Sequence, residues 1–347
     1  MRAAVYRAFQ GPIHVEDVPE PEPGADDVVV EVLAVGLCRS DLHGWMGTDP
    51  DIVLPHVGGH EFAGRVVAVG DLVTRAVVGD RVVAPFVCGC GACEPCRAGQ
   101  HQVCRAQEQP GFTRWGAFAE RTTIPWADVN AVAVPESVDD VTAALAGCRV
   151  STAYRGVVER AALRRGETLC VVGCGGVGLA AVALGAALGA RVVAVDRSTA
   201  ALELAGRLGA TDLVTVADGP AGPAGVADEV RAATGGAHVA VDAIGGAGPA
   251  ASAILSLRPQ GRHVQIGLFP TATADLPIGR VIRDEIDVLG VHGLSASRLP
   301  QVLELAATGA LDLRPMVTSR IGLEDVAVAL PAMARSAGAG VSVVTAL

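Results

Sequence analysis

The chain has no lysine: all 27 of its basic residues are arginine. That excludes chemistry built on a lysine amine, including Schiff-base catalysis, lysine-anchored pyridoxal phosphate and the phosphate-binding lysine of a P-loop. Aromatic residues are scarce, with six Phe, three Trp and two Tyr, too few for the stacking platforms of single-strand nucleic-acid binders. An excess of positive charge is missing as well. The formal net charge is −10, whereas binding a phosphate backbone needs a basic face, so nucleic acid is not an expected partner. Residues 1–7 hold no apolar run of signal-peptide length, and the nine cysteines are an odd number. Together these argue for reduced thiols in the cytoplasm rather than an exported disulfide framework.

A long uncharged run exists at 169–190, and its length alone suits a membrane span. Six glycines interrupt it, and those at 173–178 would break a helix at its start. A buried strand, a tight turn and a helix are therefore expected, with no membrane partner. The length of 347 residues points to two domains. Up to about residue 135 the texture is all-β, with strands expected at 27–35, 64–69 and 78–83. From residue 138 Ala-rich, helix-permitting stretches (143–163, 179–188) alternate with apolar runs at 169–172, 192–195, 213–216, 239–244, 263–266 and 286–289. That alternation predicts βαβ units: an α/β domain with a doubly wound parallel sheet. Beyond His292, helices are expected at 298–307 and 323–333 and a last strand at 341–345. The Ala/Gly/Pro-rich segment 217–225 reads as a loop.

Two motifs carry chemistry by spacing alone. The run ending at Val172 leads into Gly173-Cys174-Gly175-Gly176-Val177-Gly178 and then an Ala-rich helix. This is a glycine fingerprint for a dinucleotide: a tight turn, close backbone approach to a pyrophosphate, and close helix–strand packing. Asp196 follows Gly173 by 23 residues, near the spacing of about 20 at which a carboxylate holds the ribose 2′-hydroxyl. A carboxylate repels a 2′-phosphate, which favours NAD over NADP; Arg197 beside it tempers that preference. Cys170 and Cys174 read as packing residues. The second motif is Cys90-x2-Cys93-x2-Cys96-x7-Cys104, four thiols whose short gaps let consecutive thiolates face one ion. A closed tetrahedral structural zinc site fits best. A redox Cys-x-x-Cys pair, an iron–sulfur cluster and a nucleic-acid zinc ribbon are the alternatives. Cys88 is a bystander.

Three further candidate ligands are scattered: Cys38 in Cys38-Arg39-Ser40-Asp41-Leu42-His43, His60 in Gly59-His60-Glu61, and Cys148 in Gly147-Cys148-Arg149. Singly, each reads as a core residue. Together with the four-thiol loop and the dinucleotide turn, in this order, they give a chain that closely resembles the zinc-dependent medium-chain alcohol dehydrogenases over nearly its whole length. The resemblance implies a mainly β, GroES-like catalytic domain at 1–149, completed by 292–347, and a Rossmann domain at 150–291. It places a catalytic zinc on Cys38, His60 and Cys148 with an open fourth position. Glu61 matches a carboxylate that lies behind the metal and can transiently ligate it, and Asp41 the carboxylate that orients the ligand histidine. Ser40 and His43 match a proton relay, Arg39 a contact to the pyrophosphate, and Thr152 and Ile266 contacts to the nicotinamide half of the cofactor.

The activity so implied is reversible hydride transfer between an alcohol and NAD, with zinc acidifying the hydroxyl. Trp45 and Phe86 match positions that line a narrow pocket, pointing to small or aromatic primary alcohols. The rivals are a polyol or amino-alcohol dehydrogenase of the same family and a catalytically silent dinucleotide-binding relative. Retention of Cys38, Ser40, His43, His60 and Cys148 together argues against silence. The stretch between Cys104 and Cys148 lacks an extra loop of the dimeric animal enzymes, so the chain resembles the tetrameric microbial ones; a homo-oligomer, tetramer or dimer, is expected.

Overall fold

A computed structural model describes residues 1–216, 222–335 and 338–347. The chain divides into two compact units, Met1–Ser151 with Gly293–Gly309 and Val317–Leu347, and Thr152–His292 with Ala310–Met316.

The first unit is built on β-branched runs. Val28–Gly36 pairs antiparallel with Phe62–Val69, with Arg121–Ile124 and with the C-terminal strand Val341–Ala346. The last strand pairs in turn with Val317–Gly322, which the sequence reading left unassigned. In Val28–Gly36 nearly every residue is buried except Glu31, so the strand packs on both faces and shows little of the polar–apolar alternation of a half-exposed one. Phe62, Phe118, Leu42 and Ile124 fill the core beneath it. The helix Arg39–Met46 follows directly. The helix-permitting stretch 143–163 is helical as far as Arg160, with alternating α and π turns. An α-helix, Asp140–Leu145, runs into a π-helical turn at Ala146–Val150, and a second π-helical turn lies at Arg155–Arg160. Wide π turns inside helices often mark functional positions, and the first of these carries Cys148.

The second unit is a six-stranded parallel sheet in the order Asp212–Thr215, Arg191–Asp196, Thr168–Val172, Ala237–Asp242, Leu257–Gln265, Asp287–Gly290. The order reverses beside Thr168–Val172, the first of these strands in the chain. That is the doubly wound arrangement, with its crevice at the carboxyl ends of the strands at the switch point. The run 169–190 is a buried strand, the glycine turn and the helix Gly176–Ala187. No helix of the described residues is long and apolar enough to cross a membrane. Part of the loop expected at 217–225 lies outside the described residues. The rest needs correcting, since Gly222–Gly225 open the helix Gly222–Thr234. Pro223 sits in its first turn, where a missing N–H leaves no bond unmade.

Candidate metal and dinucleotide sites

Among the described residues two groups of side chains are arranged to hold a metal ion, both in the first unit, with ligand atoms within 4.8 Å of one another in each. The first is Cys90, Cys93, Cys96 and Cys104. Cys104 Sγ lies 3.5 Å from Cys90 Sγ and 3.6 Å from Cys93 Sγ. Four thiolates at a zinc–sulfur bond of about 2.3 Å stand roughly 3.8 Å apart at tetrahedral corners, so the thiols are already close to that spacing. The N–H groups of Cys90 and Ala106 donate to Cys104 Sγ at 3.4 and 3.3 Å. Backbone N–H groups of Cys96 and Arg105 draw the Cys93 thiol down to about 6. Cys88 stands outside this cluster, buried, its thiol turned to the Pro85 carbonyl at 3.5 Å.

The second group is Cys38, His60 and Cys148, drawn from three distant segments. Asp41, itself buried, does much of the positioning. Its Oδ2 accepts the Cys38 N–H at 3.1 Å, while Oδ1 accepts the Gly59 N–H at 2.9 Å and faces His60 Nδ1 at 2.8 Å. With Nδ1 committed to a carboxylate, the proton sits there and Nε2 keeps its lone pair. That Nε2 is buried with no hydrogen-bond partner. An orphaned imidazole lone pair beside two thiols is the donor set of a divalent metal ion such as zinc. Hydrogen bonding from Cys148 pulls the Cys38 thiol well down against burial, while that same bond and burial push Cys148 up. One thiolate is thus favoured before any metal adds its charge.

The helix Arg39–Met46 sets Ser40 and His43 three residues apart, on one face. Ser40 Oγ lies 3.9 Å from Cys38 Sγ, His43 is half-buried and Arg39 is exposed. Phe86 is brought edge-on to the His60 ring, at 6.0 Å between centroids, and Phe112 lies at 4.9 Å on a tilt. The sequence reading did not single out Phe112, and nothing in its neighbours marks it. Trp45 is half-buried and packs against the cluster that contains Leu42 and Ile52, its indole N–H donated to the Gly11 carbonyl at 2.9 Å. Glu61 is not among the gathered ligand atoms: both its oxygens are taken up by Arg149, whose Nε donates to Oε1 at 2.8 Å and to Oε2 at 2.6 Å. Arg149 belongs to no motif; the signal for it in the sequence is an arginine beside a candidate ligand cysteine within an otherwise apolar run.

In the second unit each fingerprint glycine shows a distinct reason for its place. Gly173 has φ 96°, the left-handed turn. A Cβ on Gly178 would stand 1.7 Å from the Gly173 carbonyl oxygen, so helix and strand close up only over a glycine. Gly175 has open space around it and caps the helix Gly176–Ala187. Val177 follows on its first turn, where free N–H groups and the positive dipole end suit a pyrophosphate. Asp196 ends its strand half-buried, Oδ2 accepting the Cys174 N–H at 2.6 Å and Oδ1 the Ser198 N–H at 2.8 Å, so it also fixes the turn. Arg197 is exposed. Cys170 and Cys174 are buried thiols; burial pushes Cys170 up to about 12. Thr152 is buried at the head of this unit, and the Ile266 N–H bonds to the Asp242 carbonyl at 3.1 Å.

Comparison with known proteins agrees with this arrangement. Residues 24–136 match the alcohol dehydrogenase GroES-like domain and residues 176–308 the zinc-binding dehydrogenase family. An alcohol dehydrogenase of Rhizobium meliloti is 36% identical over 314 residues, 89% of each chain. The chain belongs to the zinc-dependent medium-chain alcohol dehydrogenase family. Its two units are that family's GroES-like and Rossmann-like folds, and it is an oxidoreductase. An L-threonine 3-dehydrogenase of Streptomyces avermitilis is 33% identical over 332 residues, 94% of each chain. The solved alcohol dehydrogenase of Thermus sp. ATN1 superposes with a TM-score of 0.90 at 31% identity, covering both chains completely.

Proposed function

We propose that the protein oxidises alcohols reversibly with NAD, using one zinc ion at Cys38, His60 and Cys148 and a second, structural one at Cys90, Cys93, Cys96 and Cys104. The observation that carries the reading is His60: its Nδ1 is fixed by Asp41, and its buried Nε2, gathered with the Cys38 and Cys148 thiols, has no hydrogen-bond partner among the described residues. A zinc ion held there would act as a Lewis acid and acidify an alcohol hydroxyl. The chain's own residues do the rest. Ser40 Oγ accepts the hydroxyl proton and His43, one turn along the helix, passes it towards solvent. Phe86 beside the His60 ring supplies an apolar wall that favours a small or aromatic primary alcohol. In the second unit the open backbone at Gly175, with Gly173, Gly176, Val177 and Gly178, holds the pyrophosphate. Thr152 and Ile266 contact the nicotinamide half. The Asp196 carboxylate selects NAD by binding the ribose 2′-hydroxyl and repelling a 2′-phosphate. A homotetramer is the assembly we infer.

The test is nicotinamide reduction with small primary, secondary, aromatic and polyol alcohols, NAD and NADP side by side, on protein of known metal content. Turnover with NAD on small or aromatic primary alcohols at two zinc per chain is expected. No turnover on any alcohol at full metal loading would overturn the reading. The likeness to L-threonine 3-dehydrogenase supports one second reading, an amino-alcohol substrate, and L-threonine therefore belongs in the panel.

A further inference from the structure

Arg149 is fully buried in the π-helical turn that also carries Cys148. Its reach is unusual. Nη2 donates to the Leu37 carbonyl at 3.0 Å, Nε donates to both oxygens of Glu61, and its backbone N–H adds a bond to Glu61 Oε1 at 2.8 Å. Nη2 also pairs with Glu61 Oε2. Leu37 precedes Cys38, Glu61 follows His60, and Arg149 follows Cys148. Arg149 therefore stands next to one candidate metal ligand, and its guanidinium touches the residue next to each of the other two. The strand Val28–Gly36 leaves room for it by ending in glycine: a Cβ on Gly36 would stand 2.3 Å from Glu61 Oε2 and 3.0 Å from Arg149 Nη2.

We propose that Arg149 is a positioning residue for the three-ligand site, fixing the spacing of Cys38, His60 and Cys148 and holding the Glu61 carboxylate off the metal so that the fourth position stays open. The proposal rests on the reading that these three residues hold a metal. A buried ion pair is weak evidence for stability, because desolvating two charges cancels much of their attraction. A role in setting geometry accounts for a charged pair at this buried position. Bidentate binding matters here, since a planar fork can hold both carboxylate oxygens at once and an ammonium cannot.

Cobalt(II) makes this measurable, because its thiolate and d–d absorption reports coordination directly. The intact chain is loaded with cobalt, and Cys38→Ser supplies the spectrum of the four-thiol cluster for subtraction. Imidazole is then titrated into the remaining site. In Arg149→Gln the freed Glu61 is expected to take the fourth position, altering the cobalt spectrum and weakening imidazole. Cobalt affinity should fall about 10- to 100-fold, as for other lost partners of metal ligands. The double variant Arg149→Gln/Glu61→Gln, a neutral pair, is expected to bind imidazole again while cobalt affinity stays low. A purely structural arginine would give no such recovery. Arg149→Gln with the parent's spectrum, cobalt affinity and imidazole binding overturns the proposal. If that variant does not fold, a double variant with the parent's cobalt affinity overturns it instead. If Cys38→Ser loses no cobalt, the metal reading itself fails, a distinguishable result.

Discussion

The two cysteine clusters of the first unit are built on opposite principles. The four thiols from Cys90 to Cys104 come from one stretch of fifteen residues, are partly exposed at Cys90 and Cys93, and are satisfied by nearby backbone N–H groups. Cys38, His60 and Cys148 come from a helix start, a loop and a π-helical turn, and are held in register by two buried carboxylates, Asp41 and Glu61, and by Arg149. A contiguous site can hold its geometry through local chain constraints. A dispersed site is only as good as the fold and the charged partners that bring it together. The first should therefore govern stability and the second chemistry.

Removing one ligand from each gives the largest expected contrast. Cys38→Ser should lose one zinc and about a thousandfold in turnover, several kcal/mol of transition-state stabilisation, while its thermal unfolding stays close to that of the parent. Cys104→Ser should lose the other zinc and unfold roughly 10 °C lower. Metal analysis and calorimetry on the same preparations decide it. Equal loss of stability in both variants would collapse the contrast.

The glycine turn of the second unit resembles the contiguous cluster, in that each position has one local reason. Gly178→Ala forces a methyl against the Gly173 carbonyl and should destabilise by about 3 kcal/mol. Gly175→Ala meets nothing within 4 Å and has φ −76°. Stability should be unchanged to within about 0.5 kcal/mol, while NAD affinity falls about tenfold, a loss of about 1.4 kcal/mol. Urea unfolding and calorimetric titration separate the two effects. Parent-like NAD binding by Gly175→Ala would remove the pyrophosphate from that spot.

Legibility in the sequence follows the same division. The four-thiol loop and the glycine fingerprint were readable because their physics is local: two-residue gaps and a strand–turn–helix frame. The central parallel strands were readable because burial makes each an uninterrupted apolar run, as at Thr168–Val172 and in residues 192–195, while the edge strands Asp212–Thr215 and Asp287–Gly290 are largely exposed and show only short apolar runs. Cys38, His60 and Cys148 were not readable singly; only the family's motif order joined them, since their proximity is a property of the whole unit. Arg149 and Phe112 act across large separations in the chain, and no local pattern announces them. Trp45 is a like case. Its indole N–H donates to the Gly11 carbonyl from a half-buried position against the core, a tie across 34 residues that no local pattern announces. The strand Val317–Gly322 is irregular at both ends of its pairing and buries too little to show a clear period.

Asp41 offers a gentler break of the dispersed site. Its carboxylate accepts three bonds, from the Cys38 and Gly59 N–H groups and the His60 ring. In Asp41→Asn one carboxylate oxygen becomes an NH2 group and must face one of those donors. Zinc affinity at Cys38, His60 and Cys148 should fall about 10- to 100-fold, and the four-thiol cluster should keep its zinc. A chelator competition that releases both metals in parallel would show the clusters to be less independent than their construction suggests.

The smallest expected effect compares the two units through pH. His56 in the first unit and His263 in the second are both buried, and burial lowers the pKa of each. His56 Nε2 donates to the Gly111 carbonyl at 2.9 Å. His263 Nε2 donates to Gln265 Oε1 at 3.0 Å, and Gln265 Nε2 is engaged by Asp242 at 2.8 Å, leaving His263 Nδ1 bare and unpartnered. Both rings are therefore held neutral in the folded chain, while in the unfolded chain they take up a proton near pH 6.5. Below that pH the unfolded state binds more protons, so stability is intact above about 6.5 and is lost as the pH falls towards the lower folded values. Urea midpoints at pH 7 and pH 5 should show this loss. His263→Gln should shrink the drop at the transition of the second unit and leave that of the first unchanged, whereas an unaltered pH dependence in that variant would mean that His263 is not what the acid titrates.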